Sequence, residues 1–232
     1  MKLEKMTKLE NMVEKRWYDD ACGTAMALEL VGERWSLLIV RELMFGGRRF
    51  GELKAALNGI SANVLTQRLE GMEAAGILQK RKLPPPASVQ IYELTRWGYE
   101  SETAIQELGR WATRSPAHDP SLPLSAASLM LSFRTMLSAE RSAGMVARIG
   151  FRLEDEVFTT ELANSSFQVT RAEPVDADVV FTSTPRGFAA LTYGGVPIAE
   201  GEKLGLVAIE GDRALAERFV TLFPLPSKWT ED

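Results

Sequence analysis

The chain has 232 residues, 45% hydrophobic and 25% charged, enough for one large domain or two ordinary ones and too apolar for wholesale disorder. No run of about eighteen apolar residues occurs, and residues 1–16 lack the apolar stretch of a signal peptide, so neither a transmembrane helix nor a membrane partner is expected. One cysteine, Cys22, and one histidine, His118, exclude an internal disulfide framework and argue against metal sites and a catalytic triad; the expectation is a cytoplasmic protein, not an enzyme, with no metal and no cofactor.

The formal net charge of −4 is unevenly spread: residues 1–115 hold 17 Lys/Arg against 15 Asp/Glu, and residues 116–232 hold 10 against 16. Within 34–82 the count is 9 basic to 4 acidic, so an acidic chain contains a basic segment. Local charge is what a phosphate feels, because screening limits the field to about 10 Å.

In chain order, residues 3–15 carry Leu3, Met6, Leu9 and Val13 at helical spacing, a charged helical arm. A helix follows over 21–31, stopped by Gly32, and another over 35–44 that is apolar on nearly every side and therefore central. Phe50, Leu53 and Leu57 mark a short helix over 50–57. Ser61 is the expected N-cap of the next, which runs to about residue 75 before Gly76. Leu65, Leu69 and Met72 form its buried stripe, while Asn63, Thr66, Gln67 and Glu70 form the opposite one. That outer stripe is mostly amide and hydroxyl, the groups that both donate and accept at base edges.

Residues 77–83 and 89–94 read as two strands, the first with Lys80, Arg81 and Lys82, joined by a tip containing Pro84, Pro85 and Pro86. A final helix, 97–113, is capped by Thr95 and carries Ala104, Ile105, Leu108, Trp111 and Ala112 on apolar faces wider than one small domain needs, which suggests a dimer surface. The order of elements is a helix-turn-helix with a wing.

Residues 16–113 resemble the HxlR-type winged-helix regulators. The resemblance rests on Cys22 before a helix, Gly32-Glu33-Arg34-Trp35-Ser36-Leu37-Leu38-Ile39, Arg48-Arg49-Phe50-Gly51-Glu52-Leu53, Gly59-Ile60-Ser61, Val64-Leu65-Thr66-Gln67-Arg68-Leu69, Ala75-Gly76-Ile77-Leu78 and Tyr92-Glu93-Leu94-Thr95. It implies a homodimeric transcription factor whose 61–75 helix enters the major groove of double-stranded operator DNA. The base-edge candidates are then Asn63, Thr66, Gln67 and Arg68. Ser61, Arg48 and Arg49 are phosphate candidates, and Lys80, Arg81 and Lys82 are wing candidates, of which strand alternation turns two toward DNA. A packing or ion-pair role for Arg68 and a solvated loop for Arg48 and Arg49 remain open. The proline-rich wing tip departs from the family pattern. Cys22 reads either as a small helix residue or as a redox sensor, with Asp19 and Asp20 opposing an activated thiolate.

Residues 115–123 hold three prolines and read as a linker between a domain over 1–115 and another over 125–232. The second half is predicted as a helix (125–137), strands over 145–153, 156–162, 166–171 and 177–182, a helix over 184–193, a strand over 205–210 and a helix over 213–222. Asn164-Ser165 makes a hairpin turn. A mainly antiparallel sheet with helices on one face makes the fold class α+β. Ala177-Asp178-Val179-Val180-Phe181, Pro185-Arg186-Gly187-Phe188 and Leu206-Val207-Ala208-Ile209-Glu210-Gly211-Asp212 resemble a sterol-carrier-protein-like domain. That resemblance implies an apolar tunnel. Phe151, Phe158, Phe167, Phe181, Phe188, Leu191 and Phe219 are its candidate ligand-lining residues, with plain core packing as the other reading.

The expectation is a sequence-specific DNA-binding regulator, a repressor, whose operator affinity responds to a small hydrophobic effector in the C-terminal domain. The alternatives are redox sensing through Cys22 and a lipid-carrier-like binding protein.

Overall fold

The computed structural model describes residues 18–231. The helical arm expected over 3–15 lies outside them.

The N-terminal half is built from α1 (Gly23–Val31), α2 (Ser36–Leu43), α3 (Phe50–Ala56), α4 (Ala62–Ala74), the hairpin β1 (Leu78–Lys82) and β2 (Gln90–Leu94), α5 (Arg96–Glu100) and α6 (Glu102–Ala112). Ile39, Val40 and Leu43 of α2 are buried against Leu53, Leu65 and Leu69, so the most apolar helix is central. The expected single helix over 97–113 is two. Gly98 lies against the wing, where a Cβ would come within 2.1 Å of the Ile77 carbonyl oxygen. The Ser101 hydroxyl donates to the Gly98 carbonyl at 2.7 Å, drawing that group out of the regular helical ladder.

The C-terminal half consists of α7 (Ala126–Met136), β3 (Val146–Leu153), β4 (Glu156–Ala163), β5 (Ser166–Thr170), β6 (Val179–Ser183), α8 (Pro185–Thr192), α9 (Ile198–Lys203), β7 (Val207–Gly211) and α10 (Arg213–Phe219). The sequence reading had no counterpart for α9, whose six residues are too few for a readable period. The strands form one sheet in the order β5-β4-β3-β6-β7, antiparallel except for the β3/β6 pair. Asn164 and Ser165 both take positive φ, as a two-residue hairpin requires. Along β3, Ala147, Ile149, Phe151 and Leu153 are buried on the face the helices cover, whereas Val146 and Arg148 on the other face are exposed and Gly150 lies under Pro174.

The covered face holds the residues expected to line the tunnel. Phe151, Phe158, Phe167, Phe181, Phe188, Leu191 and Phe219 are all buried, but as each other's packing partners. Phe181 meets Phe188 at 4.8 Å between ring centroids and Phe151 at 5.6 Å, and Phe219 meets Phe223 at 5.0 Å. Phe133, on α7, stacks on Phe223 at 4.5 Å. Rings at contact distance pack against one another as a core does. These residues form a core.

The two halves share that core: Phe45 meets Phe158 edge-on at 6.1 Å. Beside this contact runs a chain of charges. Glu42, with 0% exposure, accepts from Arg41 at 2.8 Å, Arg48 at 3.1 Å and the Ser125 hydroxyl at 2.6 Å. Arg48 donates across to Glu156 at 3.0 Å, which in turn holds Arg171 at 2.8 Å. A second tie lies at the end of α6, where the Lys228 ammonium donates to the Thr113 and Ser115 carbonyls at 2.9 and 3.1 Å.

Candidate nucleic-acid interface

α4 is fixed at both ends. The Ser61 hydroxyl accepts from the Val64 amide at 3.2 Å, as an N-cap does. At the other end Gly76 takes φ +76°, its amide donates to Glu73, and the Ile77 amide reaches the Met72 carbonyl at 2.9 Å. This pair of bonds is a Schellman stop, and its left-handed residue explains the glycine. Leu65, Leu69 and Met72 bury the inner stripe. Ser61, Asn63, Thr66 and Gln67 are exposed, so the amide and hydroxyl stripe faces outward.

Arg68 takes the ion-pair role. Its Nη2 donates to Glu33 at 2.8 Å and its Nε to the Arg34 carbonyl at 3.0 Å, pinning α4 to the turn before α2. In that turn Trp35 holds φ +82°, a conformation uncommon for a bulky residue, with the Arg34 guanidinium 5.2 Å from its ring centroid.

Arg48 is withdrawn from the phosphate candidates. Its side chain is 8% exposed and is spent on Glu42 and Glu156. Its backbone exchanges two hydrogen bonds with Tyr92, each 2.8 Å, adding a one-residue third strand beside β2. Arg49, next in sequence, is exposed at the start of α3, and its amide is held by Glu52 at 2.8 Å. The alternation of a strand separates these neighbours, one turned inward and one outward.

The wing pairs β1 with β2 in a register that places Lys80 opposite Tyr92 and Lys82 opposite Gln90. Lys80 and Lys82 therefore share one face and Arg81 takes the other. Lys80 reaches back to Glu73 of α4 at 2.7 Å and lies 5.8 Å from the Tyr92 ring centroid; the Glu73 carboxylate raises its pKa. Arg81 forks onto Glu93 at 2.8 Å, which raises the guanidinium's pKa and lowers the carboxyl's. Lys82 makes no ion pair among the described residues. Glu73 and Glu93 are the site residues that sequence reasoning missed. Glu93 was findable, since it sits diagonally across the hairpin from Arg81; Glu73 becomes a partner only once α4 docks on the wing.

Beside this surface, α6 exposes Ala104, Leu108, Trp111 and Ala112, with Trp111 72% accessible, while Ile105 packs inward. Cys22 is exposed immediately before α1. Its thiol pKa is lowered by hydrogen bonds from the Thr24 backbone and hydroxyl and the Ala25 amide. No helix of the described residues is long and apolar enough to cross a membrane.

The profile of one protein family, HxlR-like helix-turn-helix, matches residues 30–119. The chain is 39% identical over 88 residues to the HTH-type transcriptional regulator YvaP of Bacillus subtilis, an alignment spanning 38% of this chain and 81% of the relative. To the HTH-type transcriptional regulator YodB of the same organism it is 36% identical over 86 residues, or 37% of this chain and 77% of that one. The solved structure of the reduced form of YodB superposes on 43% of this chain and 100% of its own, with 32% identity and a TM-score of 0.39.

Proposed function

The chain belongs to the HxlR-like helix-turn-helix family, and from that premise we propose that it is a sequence-specific DNA-binding transcriptional regulator acting as a homodimer. One observation carries the reading. A helix capped at both ends turns Asn63, Thr66 and Gln67 outward, beside a hairpin whose Lys80 and Lys82 share a face. Amides and hydroxyls on a rigid helix suit base edges, and ammonium groups alongside suit phosphates. Ser61 and Arg49 are the proposed backbone contacts, with Lys80, Lys82 and secondarily Arg81 on the wing.

The open apolar face of α6 supports a second copy of the chain as its cover, with two recognition helices about one helical turn of DNA apart. Residues 125–232 are proposed as a sterol-carrier-like α+β unit appended to the DNA-binding half. Its five-stranded, mainly antiparallel sheet supports this, and the packing of its phenylalanines on one another favours an effector site elsewhere. Repression in the ligand-free state is the proposed mode of action.

The test is a fluorescence-anisotropy titration of the full chain against DNA from upstream of its own gene, with scrambled DNA as competitor, at two salt concentrations. Preference for the native fragment and a steep salt dependence are expected. Failure to bind any duplex at low salt would refute the reading.

Cys22 favours a second mode of control. The Thr24 and Ala25 donors stabilise its thiolate, so the pH midpoint of its alkylation by iodoacetamide is expected below that of the denatured chain. A midpoint equal to that of the denatured chain, or unchanged peroxide sensitivity of DNA binding in Cys22→Ser, removes the thiol from regulation.

A further inference from the structure

Between α6 and the outer edge of the C-terminal sheet lies an open groove of about 610 Å³, within the range of small-molecule sites. Glu102, Gln106 and Arg110 line it from α6, Arg134 from α7, and Phe167 and Val169 from β5. It contains residues of both halves of the chain. The DNA-binding surface does not use it, and Phe167 gives it its backbone while its ring belongs to the phenylalanine core.

The groove has an excess of donors. β5 is an edge strand, paired on one side only with β4. The Phe167 carbonyl accepts from Arg134 Nε at 3.2 Å, so this residue turns its backbone away from β4. By alternation Val169 does the same, which leaves the amides of Phe167 and Val169 directed to the open side. Arg134 gives Nη1 to Glu102, and Arg110 gives Nη2 to the Thr135 carbonyl and pairs with Glu107 at 3.5 Å. A guanidinium has five N–H donors, so each keeps some in reserve. On the acceptor side, Glu102 is already engaged by Arg134 and by Gln106 at 3.2 Å, which leaves the outward Val169 carbonyl. The unspent guanidinium N–H groups and the two outward amides outnumber these acceptors and call for an acceptor-rich ligand. A planar carboxylate fits a guanidinium edge best.

We propose that this groove binds a small organic carboxylate as the effector of the protein. The position supplies the consequence. α6 carries the open face formed by Leu108 and Trp111, and β5 belongs to the other half. A carboxylate bridging Arg110 and the β5 amides draws the two together and tilts α6 in the dimer. The spacing of the recognition helices changes with it. A ligand that binds one spacing better than the other shifts the equilibrium by that difference in affinity. Only this consequence rests on the DNA-binding reading above; the binding itself does not.

The experiment therefore reads binding without DNA. The ¹⁵N-labelled full chain is titrated at constant ionic strength with benzoate, lactate and succinate, and in parallel with benzamide, lactamide and succinamide. Saturable shifts of the Phe167 and Val169 amides are expected with at least one acid and with none of the neutral amides. Arg110→Gln is expected to weaken that binding about tenfold or more, the worth of a charge-assisted hydrogen bond. Because Arg110 also holds the Thr135 carbonyl, Gln106→Glu gives an independent arm: it adds a negative charge to the groove, keeps both arginines, and is expected to weaken the acids as well. Absence of saturable shifts with all three acids, equal shifts with the neutral amides, or undiminished binding in both variants overturns the site. Saturable binding that leaves operator affinity unchanged overturns its role as an effector site.

Discussion

Arg48 joins three parts of the molecule. Its backbone extends the wing sheet beside Tyr92, and its guanidinium bridges Glu42 of the DNA-binding half to Glu156 of the other. Glu42 is fully buried, and without Arg48 it keeps Arg41 and Ser125 while Glu156 keeps Arg171. Arg48→Ala is expected to cost about 1–3 kcal/mol, the worth of the lost charge-assisted hydrogen bonds, measured by urea unfolding. Arg49→Ala, one position on and exposed, is expected to stay within about 0.5 kcal/mol. On the recognition helix, Gln67→Ala is expected to relax discrimination at one base-pair position by about 1–3 kcal/mol, read by competition among single-site operator variants. Lys82→Ala should weaken all sequences alike and reduce the salt slope by about one, because its ammonium has no carboxylate partner among the described residues. Arg81→Ala should do less, since Glu93 already holds its charge.

Among the elements, α6 is amphipathic with one side open. Ile105 packs into the core, while Leu108 and Trp111 stand in solvent. Two large apolar side chains at helical spacing on one exposed face are what a symmetric helix–helix contact buries. Leu108→Glu with Trp111→Glu is expected to give a monomer in analytical ultracentrifugation with the unfolding midpoint preserved. Loss of the second half-site should lower apparent operator affinity by on the order of 10²–10⁴. A dimer of unchanged stability in this variant would place the interface elsewhere. The wing behaves differently. Both its paired cations are held by carboxylates of the same half, Lys80 by Glu73 and Arg81 by Glu93, so the hairpin is oriented before DNA arrives.

At the scale of the whole molecule, the Phe45–Phe158 contact, the Glu42–Arg48–Glu156–Arg171 chain and the Lys228 tie couple the halves. Four of the five tryptophans, Trp17, Trp35, Trp97 and Trp111, lie in the first half and Trp229 in the second, to which the five-stranded sheet also belongs. Tryptophan fluorescence and far-ultraviolet circular dichroism are therefore expected to report one coincident unfolding transition. Glu156→Gln, which cuts the chain of charges at the junction, should separate the two midpoints. Coincident curves in that variant would mean that the apolar contact alone couples the halves.

Most elements and their order were legible in the chain; α9 and the break between α5 and α6 were not. Periods of 3.6 and 2, the Ser61 and Thr95 caps, the Gly76 stop and the Asn164-Ser165 turn are local signals, legible within a dozen residues. The outward stripe of α4 followed from the same periodicity. Glu42, one carboxylate in the apolar run of α2, was a visible anomaly, but its partners Arg48 and Ser125 lie 6 and 83 positions away. Contacts between distant segments turn Arg48 inward, spend Arg68 on Glu33 and bring the phenylalanines against one another. A charge or an aromatic ring carries no mark of what it will meet. Its role is fixed by the desolvation and packing imposed when distant segments close around it.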